Sequence, residues 1–119
     1  VFIEPEGRFR LTPFYDILSM YPAFGGRGLH PRDAKLAMGL TATKGKKYAI
    51  EQIFPRHFYQ TAKAVGFEKV QMEMILNEMA SSLDEVISAV RQQLPDTFPA
   101  QIADSILDGL STRAQRLTR

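Results

Sequence analysis

The sequence predicts an α+β fold, mainly α, with an N-terminal β-hairpin followed by a helical bundle in one domain spanning residues 1–119. Three observations carry this expectation. Alternating side chains in Val1-Phe2-Ile3 and Arg8-Phe9-Arg10-Leu11 flank the turn-rich Glu4-Pro5-Glu6-Gly7. Apolar residues recur at helical spacing only beyond residue 54. A chain of 119 residues, 45% hydrophobic and 24% charged, suits one compact piece with a modest core.

Taken in order, residues 1–20 hold the hairpin and the segment Leu11-Thr12-Pro13-Phe14-Tyr15-Asp16. Pro13 stops the second strand, because it has no backbone donor and restricts the residue before it. Asp16 is then expected just past a strand, at the mouth of whatever the hairpin lines. A fixed carboxylate there suits magnesium, which favours one or two carboxylates plus water and phosphate oxygens. Local sequence alone favours a plainer role, in which Asp16 caps a short helix through Ile17-Leu18-Ser19-Met20.

Residues 21–53 form a middle section of loop and short elements. Tyr21 to Pro31 is punctuated by Pro22, Gly25, Gly26, Gly28 and Pro31 and reads as a loop. Ala34 to Leu40 and Tyr48 to Ile53 fit either short extended pieces or one short helix, with a basic turn at Lys44-Gly45-Lys46-Lys47 between them. Periodicity does not arbitrate over so short a length.

Residues 54–119 are helical. Pro55 suits a first helical position, Phe58, Ala62 and Val65 follow at helical spacing, and Gly66 is the stop. A long helix is expected from Glu68 to Leu94, with Met72, Ile75, Leu76, Met79, Leu83, Val86, Ile87, Val90 and Leu94 as one apolar stripe. After the breaker Pro95-Asp96-Thr97-Phe98-Pro99, a last helix runs to Leu117 with Ile102, Ile106, Leu110, Ala114 and Leu117 on one face. These stripes are expected to pack on one another and on the hairpin.

Composition excludes several chemistries. With no cysteine there is no disulfide framework and no thiolate site, which is compatible with a reducing cytoplasm. No apolar run approaches the roughly 20 residues of a membrane span. Gly39 to Lys47 is not a phosphate loop: five residues separate Gly39 from Gly45, and Lys47 stands where a serine or threonine belongs. Gly26-Arg27-Gly28 lacks the third glycine of a dinucleotide fingerprint. His30 and His57 do not form a zinc-site spacing. His57, beside Arg56 at a helix start, reads as a phosphate donor or, by its residue type, as a satisfied structural histidine. No serine has a histidine–carboxylate arrangement around it, so no residue is assigned a catalytic role.

The segment Leu11–Asp16 with Ile17, Gly25-Gly26, Lys35-Leu36-Ala37-Met38-Gly39-Leu40, Lys44-Gly45-Lys46-Lys47 and Pro55-Arg56-His57-Phe58 resembles the C-terminal part of the HipA family. These are serine/threonine kinase toxins of bacterial type II toxin–antitoxin systems. The resemblance runs nearly end to end and is weakest after Leu94. It implies the base of a protein-kinase-like C-lobe, with Asp16 as the cofactor-binding and metal-binding residue that holds Mg2+ and the ATP phosphates. Tyr21–Pro31 then corresponds to an activation segment that gates the site. The phosphate loop, nucleotide lysine, base aspartate and metal-binding asparagine of a HipA kinase are not among these residues, so the chain reads as a C-terminal fragment, inert alone. The implied partners are a HipB-like antitoxin, operator DNA through the toxin–antitoxin complex, and a protein substrate such as an aminoacyl-tRNA synthetase. The implied location is the cytoplasm.

Charge adds one further reading. Residues 1–70 hold 11 Lys/Arg against 6 Asp/Glu, a net of +5, and the rest hold 4 against 7. Lys44, Lys46, Lys47 and Lys63, with Arg56, are candidates for DNA-phosphate contact, with Lys63 opposite the apolar positions of its helix. A solvated loop and helix face is the simpler account of so modest a charge. A non-catalytic helical module that docks antitoxin or DNA is accordingly the second functional class.

Overall fold

The computed structural model describes residues 1–25 and 28–117. Gly26 and Arg27, part of the glycine run discussed above, lie outside the described residues. The fold is α+β, as expected: among the described residues there are two small antiparallel sheets and four α-helices.

The hairpin is real but slight. Strands β1 (Phe2–Ile3) and β2 (Phe9–Arg10) pair antiparallel with Phe2 opposite Arg10. Arg10 spends its guanidinium on its own hairpin, donating Nε to Glu4 Oε1 at 3.1 Å and stacking over the Phe2 ring at 4.9 Å. The second strand stops three residues before Pro13, and Leu11 to Tyr15 has no regular structure. The expectation of a buried hairpin is corrected: Val1, Ile3, Phe9 and Leu11 are all exposed. Two residues per strand present too little apolar area to dock, and an isolated two-stranded ribbon is marginal at best. The radius of gyration, 16.9 Å, exceeds the about 13.5 Å of a compact domain of this length.

In the middle section the extended alternative holds as far as Ala49, and Ile50–Gln52 makes one 3-10 turn. Strands β3 (Lys35–Thr41) and β4 (Lys46–Ala49) form a second hairpin, irregular in register between Lys35 and Leu40. Burial alternates along β4, so Lys47 and Ala49 face inward while Lys46 and Tyr48 face out. The Tyr48 ring crosses Gly39, where a Cβ would lie 2.8 Å from Cζ. That close approach, and not a phosphate loop, is what Gly39 serves.

Helix α1 (Pro55–Ala64) starts and stops where the sequence places it, with Pro55 at its first turn and Gly66 beyond its end at φ 73°. The long helix expected over 68–94 is instead two, α2 (Lys69–Ser81) and α3 (Leu83–Gln93). At the break, Ser81 Oγ donates to Glu78 O at 3.1 Å and Ser82 Oγ to Met79 O at 3.4 Å. Such back-bonding by adjacent serines competes with the helical ladder and bends it. Of the expected stripe only Leu76 is buried, while Ile75, Met79, Val86 and Val90 remain exposed.

Helix α4 (Ala100–Ala114) keeps part of the expected face inward, with Ala114 buried and Ile106 half-buried. Ala103, Leu107, Gly109 and Ala114 are buried, whereas Ile102 and Leu110 are each 40% exposed. On another side of the helix, the Tyr21 ring fills the space beside Gly109 and joins α4 to the loop that begins at Tyr21. Arg91 and Asp104, joined at 2.7 Å, tie α3 to α4 at the surface. The described core is therefore small and built of short side chains: Ala34, Ile53, Ala62, Leu76, Ala103, Leu107 and Ala114.

Candidate functional site

Asp16 lies six residues past the end of β2, not at a strand terminus, and its carboxylate is exposed. Residues Ile17 to Met20 form no helix, so the capping role that local sequence favours is not what the fold uses. Its backbone takes φ 55°, a left-handed conformation that few non-glycine residues adopt and that aspartate tolerates. Such conformations recur at ligand sites, and the inference runs from the outlier to the hypothesis.

Among the described residues, no group of three or more His, Asp or Glu comes together as a metal cage. A single accessible carboxylate does match how magnesium is commonly held, with phosphate and water oxygens filling the remaining positions. In donor chemistry Asp16 fits Mg2+ as one ligand of several.

Directly after this segment, the loop from Tyr21 is folded tightly. Tyr21 to Ala23 makes one 3-10 turn, and the Tyr21 and Phe24 rings meet edge to face with centroids 5.4 Å apart. Leu29 N donates to Ala23 O at 3.1 Å, closing the loop on itself. Through Tyr21 the loop is anchored to Gly109 of α4.

The basic residues are divided between the β3–β4 turn and α1. Lys44 and Lys46 are exposed at the β3–β4 turn, which is fastened to the middle of α1 by Thr61 and Gln60. Thr41 N donates to Thr61 Oγ1 at 2.8 Å, and Gln60 Nε2 donates to Thr43 Oγ1 at 3.4 Å. Lys47 is half-buried and donates Nζ to Gln52 Oε1 at 3.1 Å at the surface. Lys63 is exposed near the end of α1, and it borders a hollow of about 430 Å³ together with Lys69 and Tyr59. Lys69 Nζ sits 5.5 Å from the Tyr59 ring centre.

His57 is structural. It is 3% exposed, and its Nδ1 accepts the Phe54 N–H at 3.0 Å, satisfying a donor at the start of α1. Burial, then the neighbouring Arg56 charge, hold its pKa below the ordinary histidine value. The phosphate-donor reading of His57 is withdrawn on that geometry.

Sequence reasoning passed over Arg113. Its Nη1 is buried without a hydrogen-bond partner among the described residues. The signal was present: Ile106, Leu110, Arg113 and Leu117 are spaced as one helical stripe, with a cation in an apolar series.

A small α+β domain, with a lone accessible aspartate after a short hairpin and a helical base behind it, is what this fold and site define. Residues 2–87 match the family model described as HipA-like C-terminal domain. The chain belongs to that family. The match includes Asp16, the 21–31 loop, both hairpins, α1 and α2, and it ends within α3. No helix among the described residues is long and apolar enough to cross a membrane.

Proposed function

We propose that this chain is the C-terminal portion of a HipA-like serine/threonine protein kinase of a toxin–antitoxin system, in which Asp16 binds the Mg2+ that holds ATP phosphates. The family match across the aspartate-ending segment is the observation that carries this reading. The left-handed backbone and open carboxylate of Asp16 are consistent with it. Bound there, Mg2+ would neutralise phosphate charge during transfer.

The rest of the chain supplies support. Tyr21 pins the 21–31 loop to α4, which holds the segment following Asp16 against the helical base. A HipB-like antitoxin is the proposed partner, with operator DNA reached through that complex by Lys63 and the Lys44–Lys46 turn. The substrate class is a cytoplasmic protein such as an aminoacyl-tRNA synthetase.

The test is Asp16→Asn in the full-length protein. Phosphoryl transfer should fall by at least a hundredfold while thermal unfolding stays unchanged. Turnover at the wild-type rate would sink the assignment.

A further inference from the structure

Residues 1–20 give Asp16 little support. Among them only Glu4 and Thr12 are even half-buried, and residues 11–20 hold no regular structure. Asp16 nevertheless keeps a left-handed backbone, a conformation that persists only where neighbouring structure holds it. Tyr21, five positions on, is the first half-buried side chain after it. The Tyr21 N–H donates to Ser19 Oγ at 3.4 Å, and Ala23 N donates to Met20 O at 3.0 Å, so the turn opened by Tyr21 reaches back toward the aspartate. The Tyr21 ring rests on the buried Gly109 of α4. Beside that contact, a cavity of about 170 Å³ is bordered by Tyr21, Phe24, Ile50, Glu51 and Thr112. Arg116, just past the helix, donates Nη1 to Glu51 O at 3.1 Å, and Ile50 N donates to Ala34 O at 3.0 Å. The loop, the turn after the second hairpin and the end of the last helix therefore meet around one hollow. Helix α4 lies beyond residues 2–87, the part that the family model matches.

We propose that α4 sets the metal affinity of the Asp16 site: by seating the Tyr21 ring on Gly109 it fixes the chain five residues after the carboxylate, which makes Tyr21 a positioning residue. The inference rests on the reading of Asp16 as a magnesium ligand. A ligand group already ordered in the free protein binds more tightly, because less freedom is lost when the cation arrives. Support that locks the chain around a metal ligand also narrows the positions that ligand samples. The ring atoms nearest to where a Gly109 side chain would lie are Cγ, Cδ1 and Cε1, so phenylalanine at position 21 keeps the contact. Metal affinity is then tuned by a helix outside the segment that carries the ligand.

The experiment has two readouts. In the metal-free chain, NMR order parameters of residues 16–20 should drop in Tyr21→Ala to the flexible range, below about 0.6, and stay at the wild-type level in Tyr21→Phe. In the full-length protein, calorimetry with Mg2+ and a non-hydrolysable ATP analogue should give a metal dissociation constant at least fivefold higher for Tyr21→Ala, and a wild-type value for Tyr21→Phe. If Tyr21→Ala does not fold, Gly109→Ala, which disturbs the seat and leaves the loop sequence intact, decides by the same measurements. Unchanged order and unchanged Mg2+ affinity in the deciding variant overturn the proposal, as does loss of affinity in Tyr21→Phe equal to that in Tyr21→Ala. Asp16→Asn separates this inference from the reading beneath it. If that variant loses Mg2+ while the deciding variant keeps it, the positioning role alone fails; if Asp16→Asn binds Mg2+ as the wild type does, both fail.

Discussion

The ring of Tyr21 occupies the space that a side chain on Gly109 would need, so one aromatic residue locks the loop after the candidate metal aspartate onto the last helix. A Cβ at position 109 would fall on the ring itself. Gly109→Ala gains helix propensity of about 1 kcal/mol, but overpacking costs typically about 1–3 kcal/mol. We expect net destabilisation, measured by urea unfolding. The same change in a Tyr21→Ala background should be neutral or stabilising. The non-additivity between the two changes reports the contact directly.

Thr61 joins helix and sheet through one hydroxyl, which accepts from Thr41 N and donates to His57 O, each at 2.8 Å. Valine keeps the shape but strands the part-buried Thr41 N–H. Thr61→Val should cost about 1–3 kcal/mol, the usual penalty for an orphaned donor. Thr61→Ser, which keeps the hydroxyl, should retain most of that stability. Equal denaturation midpoints for the two variants would remove Thr61 from this role.

Lys63 distinguishes a DNA-phosphate contact from a solvated helix face. Within the proposed toxin–antitoxin complex, Lys63→Ala should weaken operator binding uniformly across sequences and lower the slope of log K against log salt by about 1. Lys47→Ala is the comparison, because the Lys47 ammonium is already held by Gln52 Oε1. An unchanged salt slope for Lys63→Ala assigns Lys63 to the solvated surface.

What the sequence made legible was local. Pro55 and Gly66 bracket α1 because their backbone restrictions act whatever surrounds them. The break at Ser81-Ser82 was hidden, since serine is only mildly unfavourable in a helix and its effect here depends on two back-bonds. The close contact at Gly109 was hidden for a different reason. Nothing in the local pattern marks Gly109, whose lack of a side chain admits Tyr21 from 88 positions away. Asp16 shows the same divide. Local sequence favoured a helix cap and the family resemblance implied a metal ligand, while its left-handed backbone and its distance from the strand were visible only in the fold.

His57 gives the clearest pH dependence. Its Nδ1 accepts the Phe54 N–H, which requires that nitrogen to be unprotonated. Burial first, and the Arg56 charge second, lower the folded-state pKa below the model-peptide value of about 6.5. Between those two values the unfolded chain binds a proton that the folded chain does not, so stability rises with pH. The contribution is complete above about pH 6.5, declines as the solution is acidified below it, and levels off beneath the folded-state pKa. His57→Gln keeps an acceptor at the third helical position, where glutamine also caps, and removes the titration. Melting temperatures measured from pH 7.5 down to pH 4.5 should therefore fall more steeply for the wild-type chain than for His57→Gln. Parallel curves would mean that protonation of this imidazole is not linked to unfolding.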